Sequence, residues 1–292
     1  MKYLVAQVVN GLQLGFVYSL IALGYTMVYG IIRLINFAHG EVFMVGAFLG
    51  FFGFTAWGLP LPAAALVAML GAATLGVVIE RVAYRPLRSA PRISALISAL
   101  GVSLFLQYFS SLKFVFGPNY RVVYPPLKTT QLGNTGITNV QAIIIAVVLV
   151  LLVCLQYLVY KTKFGMAMRT VAADHQVARL MGINVDMVIS VTFALGSALA
   201  AAGGVLYILA YPQIHPFIGM MPGLKAFIAA VLGGIGILPG AVLGSLIIGQ
   251  VEILTVAFIS SQLRDAVVFA LLIVALLVRP TGILGRRGTE KV

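Results

Sequence analysis

Residues 140–160 read VQAIIIAVVLVLLVCLQYLVY and contain no charged side chain. An α-helix needs about 20 mainly apolar residues to cross the roughly 30 Å hydrocarbon core of a bilayer. This stretch therefore predicts a transmembrane helix. Further apolar stretches occur on both sides of it, at 4–31, 41–57, 61–80, 93–112, 188–211, 223–238, 240–260 and 265–279.

The composition of the whole chain agrees with a membrane protein. Of its 292 residues, 61% are hydrophobic and only 9% are charged, and the mean hydropathy is +1.09. Since about a quarter of the residues of a soluble domain are charged, this chain lacks the polar side chains to cover a globular fold. We predict one all-α polytopic transmembrane domain over residues 1–292, with eight or nine helices, some of them short or broken. The segment 223–238 leaves the count open, because it is short and rich in glycine.

Basic residues predict which connections face the cytoplasm. A net charge of +12 would indicate nucleic acid binding in a soluble protein, whereas in a membrane protein Lys and Arg accumulate in cytoplasmic loops. With nine crossings and the N-terminus outside, the connection at about 161–187 is cytoplasmic and the connection at about 113–139 is periplasmic. Of the 19 basic residues, 13 then lie inside: Arg33, Arg81, Arg85, Arg88, Arg92, Lys161, Lys163, Arg169, Arg179, Arg279, Arg286, Arg287 and Lys291.

The sequence gives no sign of catalytic chemistry. It contains no GxxxxGK[ST] motif and therefore no P-loop for ATP. Its three histidines and single cysteine, Cys154, do not have the spacing of a metal site, and no nucleophile with its acid and base can be found. Each long connection has roughly 27 residues, below the roughly 40 that independent folding generally needs. We predict a transport subunit with no catalytic residue, metal or cofactor, energised by an ion gradient or by a separate subunit.

A polar patch separates the first two apolar stretches. The segment RLINFAHGE, residues 33–41, brings Asn36, His39 and Glu41 together with almost no linker. One interpretation is a tight cytoplasmic turn in which Asn36 caps the next helix. The other is a buried polar cluster near the transport pathway, because polar side chains at membrane depth are costly and usually face the bundle interior or water. The sequence leaves both interpretations open.

Three glycines at four-residue spacing, Gly236, Gly240 and Gly244, form a second signal. Small residues at this spacing allow two membrane helices to approach closely. The run GGIG at 233–236 could instead belong to a dinucleotide-binding loop, but such a loop follows a strand, and this run lies in an apolar segment. We interpret the three glycines as helix-packing positions.

The inner connection contains an amphipathic pattern. If a helix begins near residue 170, then Ala173, Val177, Leu180 and Met181 form an apolar stripe at i, i+4, i+7 and i+8. Gly182 is suited to the left-handed residue that ends a helix. Such a helix either rests on lipid headgroups or inserts into a groove of a cytoplasmic partner.

This connection resembles the coupling segment of bacterial ABC importer permeases of the high-affinity branched-chain amino acid (LivH) type, and the likeness covers nearly the whole chain. One departure is Met166, where relatives usually carry a basic residue, which puts one docking contact in question. The likeness rests on five motifs in the family's order: GYTMVYGIIRLINFAHGEVFMVGAF (24–48), ERVAYRPLR (80–88), GMAMRTVAADHQVARLMGI (165–183), KAFIAAVLGGIGILPGAVLGSLIIGQVE (225–252) and VRPTGILG (278–285).

The resemblance implies a permease subunit that forms the pathway for branched-chain or related amino acids across the bacterial inner membrane. It implies a heterodimer with a sister permease, two cytoplasmic ATPase subunits that bind ATP and Mg, and a periplasmic solute-binding protein that delivers leucine, isoleucine or valine. It also implies that Gly165, Arg169, Asp174 and Gly182 match the segment that contacts the ATPase. Together with the stripe, the expected coupling residues are Gly165, Arg169, Ala173, Asp174, Val177, Leu180 and Gly182.

An ion-coupled secondary transporter or a channel is the alternative function. Such a protein would also show multiple spans, broken helices and buried polar groups. It does not need a capped amphipathic helix between basic residues on the cytoplasmic side. The inner connection therefore favours the ABC importer.

The predicted orientation can be tested with single cysteines at positions 88 and 128 in a variant that lacks Cys154. In intact cells, a membrane-impermeant thiol reagent should label position 128 and leave position 88 unlabelled, because only position 128 is predicted to face the periplasm. Equal labelling at the two positions would contradict the orientation.

Overall fold

The computed structural model describes residues 2–88, 90–124, 126–127, 129–131 and 137–285. Lys128, Arg286, Arg287 and Lys291, which enter the predicted orientation, lie outside these ranges. The helices are α1 (Lys2–Ile32), α2 (His39–Thr55), α3 (Leu61–Ile79), α4 (Arg92–Ser110), α5 (Asn139–Lys161), α6 (Lys163–Ala173), α7 (His175–Leu180), α8 (Val185–Ala210), α9 (Met220–Gly233), α10 (Leu238–Phe258) and α11 (Arg264–Val278). Two short strands, β1 (Arg121–Val122) and β2 (Gln213–Ile214), pair antiparallel.

The chain is mostly helical, as predicted, and every apolar stretch of the sequence coincides with a helix. The expected count of eight or nine crossings is not confirmed, because α2, α9 and α11 have only 17, 14 and 15 residues. By length and composition, six helical segments of the described chain can cross a bilayer: Tyr3–Ile32, Leu61–Leu87, Ile93–Ser110, Asn139–Lys161, Val185–Ala210 and Leu238–Phe258. The second of these extends α3 through a π-helical turn at Glu80–Tyr84 and a 3-10 turn at Arg85–Leu87.

Close helix contacts, many of them at glycines, determine the order of packing. Helix α1 runs antiparallel to both α8 and α10, and α3 runs antiparallel to α8. At such contacts a larger side chain would collide with the neighbouring helix, so glycine sets the short distance between the backbones. The contacting pairs include Gly15 with Leu246, Gly24 with Gly196 and Gly76 with Ser197.

These contacts place the connections at two ends of the bundle. Helices α6 and α7 lie at the end where α1 stops and α8 and α10 start, and the His175 ring there is 2.9 Å from the carbonyl of Ile31. We call this the inner end, in line with the charge asymmetry. The described residues between α4 and α5 lie at the opposite, outer end, where Asn10 of α1 accepts a hydrogen bond from Gln141 of α5.

Helix α2 begins inside the bundle. The ring of His39, its first residue, packs against Gly24 of α1. Gly24 precedes Ile32, the last residue of α1, by eight positions, so at a rise of 1.5 Å per residue α2 starts about 12 Å from the inner end. The chain covers this distance in the non-helical residues 33–38, where Arg33 has a left-handed φ of 53°.

Helix α9 approaches the same point from the other side. After α8, residues 211–219 turn back into the bundle, and Gly219 and Gly223 lie against Gly40 of α2. Helix α9 then continues toward the inner end for 14 residues, a length of about 21 Å that is shorter than the hydrocarbon core. Two short helices therefore meet within the bundle, where other helices shield the non-helical backbone that leads into them.

The helices before and after the inner connection repeat one arrangement in opposite orientation. A long helix (α1 or α8) leads into a short one (α2 or α9) that begins inside the bundle. We call α1–α3 the first set and α8–α10 the second set. The third helix of each set packs against the long helix of the other set: α3 against α8 and α10 against α1. Such inverted repeats are common in membrane transporters.

Each set also contains a buried glutamate that is paired with a cation. Glu80, after α3, contacts Arg88. Glu252 of α10 accepts hydrogen bonds from Lys225 at 2.7 Å and from the Tyr18 hydroxyl at 3.0 Å. Lys225 is one of the six basic residues that the predicted orientation leaves on the outer side. It is not an exposed outer charge: only 2% of its surface is accessible, because α9 carries it into the bundle to pair with Glu252.

We expect Lys225→Met to destabilise the protein by about 3 kcal/mol, because losing one partner of a buried ion pair is strongly destabilising. Glu252 would keep only the more distant and half-exposed Arg264, at 3.4 Å. Thermal unfolding of the purified transporter in detergent measures the effect. The double variant Lys225→Met with Glu252→Gln is the control, since it removes both charges and should recover part of the stability. A single variant as stable as the parent would contradict a stabilising pair.

Candidate functional site

The structure buries the polar patch of residues 33–41. The exposed fractions of Asn36, His39 and Glu41 are 3%, 1% and 2%. Asn36 does not cap α2: the capping position is occupied by Ala38, and no side chain bonds to the first turn. Instead, the Asn36 side-chain oxygen accepts a hydrogen bond from the Tyr84 hydroxyl at 3.0 Å. Asn36 thus connects the segment before α2 to the segment after α3.

His39 fills the space where α1, α2 and α8 meet. Its ring centroid is 4.8 Å from that of Tyr25, and a side chain at Gly24 would collide with the imidazole. The glycine at this position of α1 is therefore what allows α2 to begin inside the bundle. Among the described residues, Nε2 of His39 has no hydrogen-bond partner.

Glu41 connects α2 to α4. Its Oε1 accepts a hydrogen bond from Nε2 of Gln107 at 2.6 Å and a longer one from the Ser103 hydroxyl at 3.4 Å. Its Oε2 is buried and has no partner within the described part of the chain. Sequence reasoning missed Ser103 and Gln107, although their four-residue spacing in an apolar stretch places them on one face of a helix.

The three spaced glycines occupy two kinds of position. Gly240 and Gly244 of α10 lie in close contact with Gly233 and Ala229 of α9. Gly236 precedes α10 and has a φ of 90°, a conformation that glycine adopts without steric cost. It serves the turn between α9 and α10 and also lies near the end of α1.

The inner connection forms two helices, whereas a single amphipathic helix was expected. Helix α6 ends at Ala173, and Asp174 has extended backbone angles, with φ −156° and ψ 120°. The Asp174 carboxylate accepts hydrogen bonds from the backbone N–H groups of Gln176 and Val177, at 2.7 and 3.0 Å, and so caps α7. These bonds lower the pKa of Asp174. The continuous stripe beginning at Ala173 is therefore wrong, because the cap changes the chain direction there.

Two of the expected coupling residues, Gly165 and Arg169, hold α6 against the end of α5. Gly165 lies directly against the carbonyls of Leu158 and Val159, where any side chain would collide with the last turn of α5. Arg169 donates a hydrogen bond to the Val159 carbonyl, and its guanidinium lies 5.6 Å from the Tyr160 ring centroid. Both residues fix α6 against the end of α5.

One exposed side of α7, together with the residue after it, is apolar. Val177, Leu180 and Met181 have 50%, 88% and 74% of their surface exposed, while Ala178 faces the protein. Gly182 follows with a φ of 79°, the predicted left-handed stop. We call Val177, Leu180 and Met181 the α7 apolar face.

The bend between α6 and α7 lies against the end of α1. A cavity of about 250 Å³ beside this contact is lined by residues 171–176 and by Ile31, Ile32 and Arg33. At this site the ring of His175 approaches the Ile31 carbonyl. The inner connection therefore contacts the segment that leads into α2.

Comparison with known sequences gives a match over most of the chain. Residues 7–276 match a family described as the permease component of the branched-chain amino acid transport system. A relative from Salmonella typhimurium, the high-affinity branched-chain amino acid transport system permease protein LivH, is 46% identical over 306 residues, covering 99% of this chain and 98% of the relative.

Two further relatives have similar coverage. The LivH protein of Escherichia coli K12 is 47% identical over 305 residues, covering 99% of this chain and 98% of the relative. The high-affinity branched-chain amino acid transport system permease protein BraD of Pseudomonas aeruginosa is 42% identical over 309 residues, covering 98% and 97%.

Proposed function

The chain belongs to the family of branched-chain amino acid transport permeases, and from this premise we propose that it is the permease subunit of a bacterial ABC importer for these amino acids. The observation that carries the proposal is the family match over residues 7–276. The relatives are named as transport system permeases, which favours this function over an ion-coupled transporter or a channel. The protein is a multi-pass protein of the inner membrane.

The proposed assembly contains a sister permease, two cytoplasmic ATPase subunits with ATP and Mg, and a periplasmic solute-binding protein. The support is that a permease of this family acts within a transport system and that this sequence has no P-loop. ATP would be hydrolysed on the separate subunits, and this chain would have no ATPase site. Purified alone, it should hydrolyse no ATP.

The proposed topology has nine crossings, of which two are composite. The non-helical residues 33–38 together with α2 make one crossing toward the outer end. Residues 211–219 together with α9 make another, toward the inner end. Helix α11, with 15 residues, returns the chain to the inner side. This arrangement places the N-terminus outside and the inner connection in the cytoplasm, in agreement with the basic residues.

The α7 apolar face is the proposed docking surface for the ATPase. A short helix with an exposed apolar face fits a hydrophobic groove on a partner. Gly165 and Arg169 hold α6 on α5. Asp174 sets the start of α7 and Gly182 follows its end, while Ala173 lies at the bend between the two helices. These residues act by orienting the face, whereas Val177, Leu180 and Met181 supply the contact.

Movement of the docked ATPase would reach the pathway through α1. His175 contacts the last turn of α1, and Arg33 follows directly in the left-handed conformation. Such a conformation is costly for a residue other than glycine and persists only where the surroundings hold it. Displacement of α6 and α7 would therefore act on the segment that carries Asn36, His39 and Glu41.

We expect Leu180→Glu to weaken ATPase association and its stimulation by loaded binding protein by at least tenfold, because a charge would enter an apolar groove. Since Leu180 is exposed in this chain, the folding of the permease should not change. Co-purification of the ATPase and its hydrolysis rate in proteoliposomes measure the two effects.

Gln176→Glu is the matched control, since it adds the same charge to α7 outside the apolar face, and both readouts should stay within twofold. Normal association and stimulation in Leu180→Glu would contradict docking through this face. The lipid-headgroup interpretation of α7 would then be preferred.

A further inference from the structure

Three described glutamates, Glu41, Glu80 and Glu252, are buried in the bundle, and they differ in their partners. Glu80 forms an ion pair with Arg88, and Glu252 with Lys225. Glu41 takes part in none of the ion pairs among the described residues, and its hydrogen-bond partners are neutral. A buried carboxylate without a cation is costly, so its retention within a membrane protein points to a function.

The two oxygens of the Glu41 carboxylate have different environments. Oε1 accepts hydrogen bonds from Gln107 and Ser103, whereas Oε2 is without a partner in the described structure. An ionised carboxylate can accept about four hydrogen bonds and donates none. Oε2 can therefore accept a further N–H donor, and a cationic donor would also balance the charge.

The position of Glu41 is consistent with a place on the pathway. It lies in the first turn of α2, next to the point where α2 and α9 meet. Transporter sites commonly lie near the middle of the bilayer, where discontinuous helices meet. Helix α4 contacts Glu41 through Gln107, and only 33% of the residues in its apolar stretch are buried, against 78% in that of α1. A shift of α4 would uncover the carboxylate without opening the tightly packed contact between α1 and α8.

We propose that Oε2 of Glu41 accepts a hydrogen bond from the α-ammonium group of the amino acid during its passage. The proposal rests on the proposed function, which supplies a substrate with one ammonium group. This group loses hydration as it leaves water, and a carboxylate at that depth would compensate for part of the loss. No charged side chain of the substrate is required, so the contact suits aliphatic amino acids.

The competing explanation is that Glu41 only ties α2 to α4. Two variants separate the explanations. Glu41→Gln removes the charge but keeps a side-chain oxygen that can accept the hydrogen bond from Gln107. Gln107→Leu removes that hydrogen bond and keeps the charge. A structural tie predicts that Gln107→Leu is the more harmful change, and ammonium recognition predicts the reverse.

The test uses the complete transporter in proteoliposomes, with leucine uptake and ATP hydrolysis measured under saturating loaded binding protein. We expect Glu41→Gln to lower the leucine taken up per ATP hydrolysed at least tenfold. Gln107→Leu should lower the same ratio less than threefold.

The inference is overturned if Glu41→Gln transports normally or fails to assemble, or if Gln107→Leu is as harmful as Glu41→Gln. Glu41→Asp, which keeps the charge, should retain more uptake than Glu41→Gln, and the opposite order would also overturn it. Failure of the proposed function has a different signature, because the parent transporter itself would then show no uptake of leucine driven by ATP.

Discussion

A chain that starts two helices in the middle of a membrane bundle must shield their backbone and polar groups from lipid within its own fold. The remaining architecture depends on this constraint. Gly24 of α1 leaves the space that the His39 ring occupies, and Gly219 and Gly223 bring the backbone at the start of α9 against Gly40. Larger residues at these positions would separate the helices and leave the non-helical segments without cover.

The sequence predicted the helices well and their starting depths poorly. An uninterrupted stretch such as 140–160 determines a helix by length and polarity alone. The depth at which His39 begins α2 depends on the absence of a side chain at Gly24, more than ten residues earlier, and no local pattern contains that information. The pairing of Lys225 with Glu252 is a contact of the same kind, formed across 27 positions of the chain.

The inner connection shows how local chemistry can override periodicity. Helical spacing from residue 170 predicted one stripe, and the positions of Val177, Leu180 and Met181 on one exposed face agree with it. The Asp174 side chain competes for the backbone N–H groups of Gln176 and Val177, which ends α6 and starts α7 in another direction. An aspartate can be accommodated on the polar side of a helix or can cap the next one, and periodicity does not distinguish the two.

Residues 33–41 link the two proposed sites, which are the ATPase-docking surface of the inner connection and the Glu41 carboxylate. At one end Arg33 follows the turn of α1 that His175 contacts. At the other end Glu41 bonds to α4, and between them Asn36 is held by Tyr84. A displacement at the inner end therefore has a short route to the carboxylate, because the backbone between the two sites is not a rigid helix. An alternating pathway requires a segment with two discrete positions. The strained conformation at Arg33 and the paired side chains of residues 33–41 would favour two such positions over gradual bending.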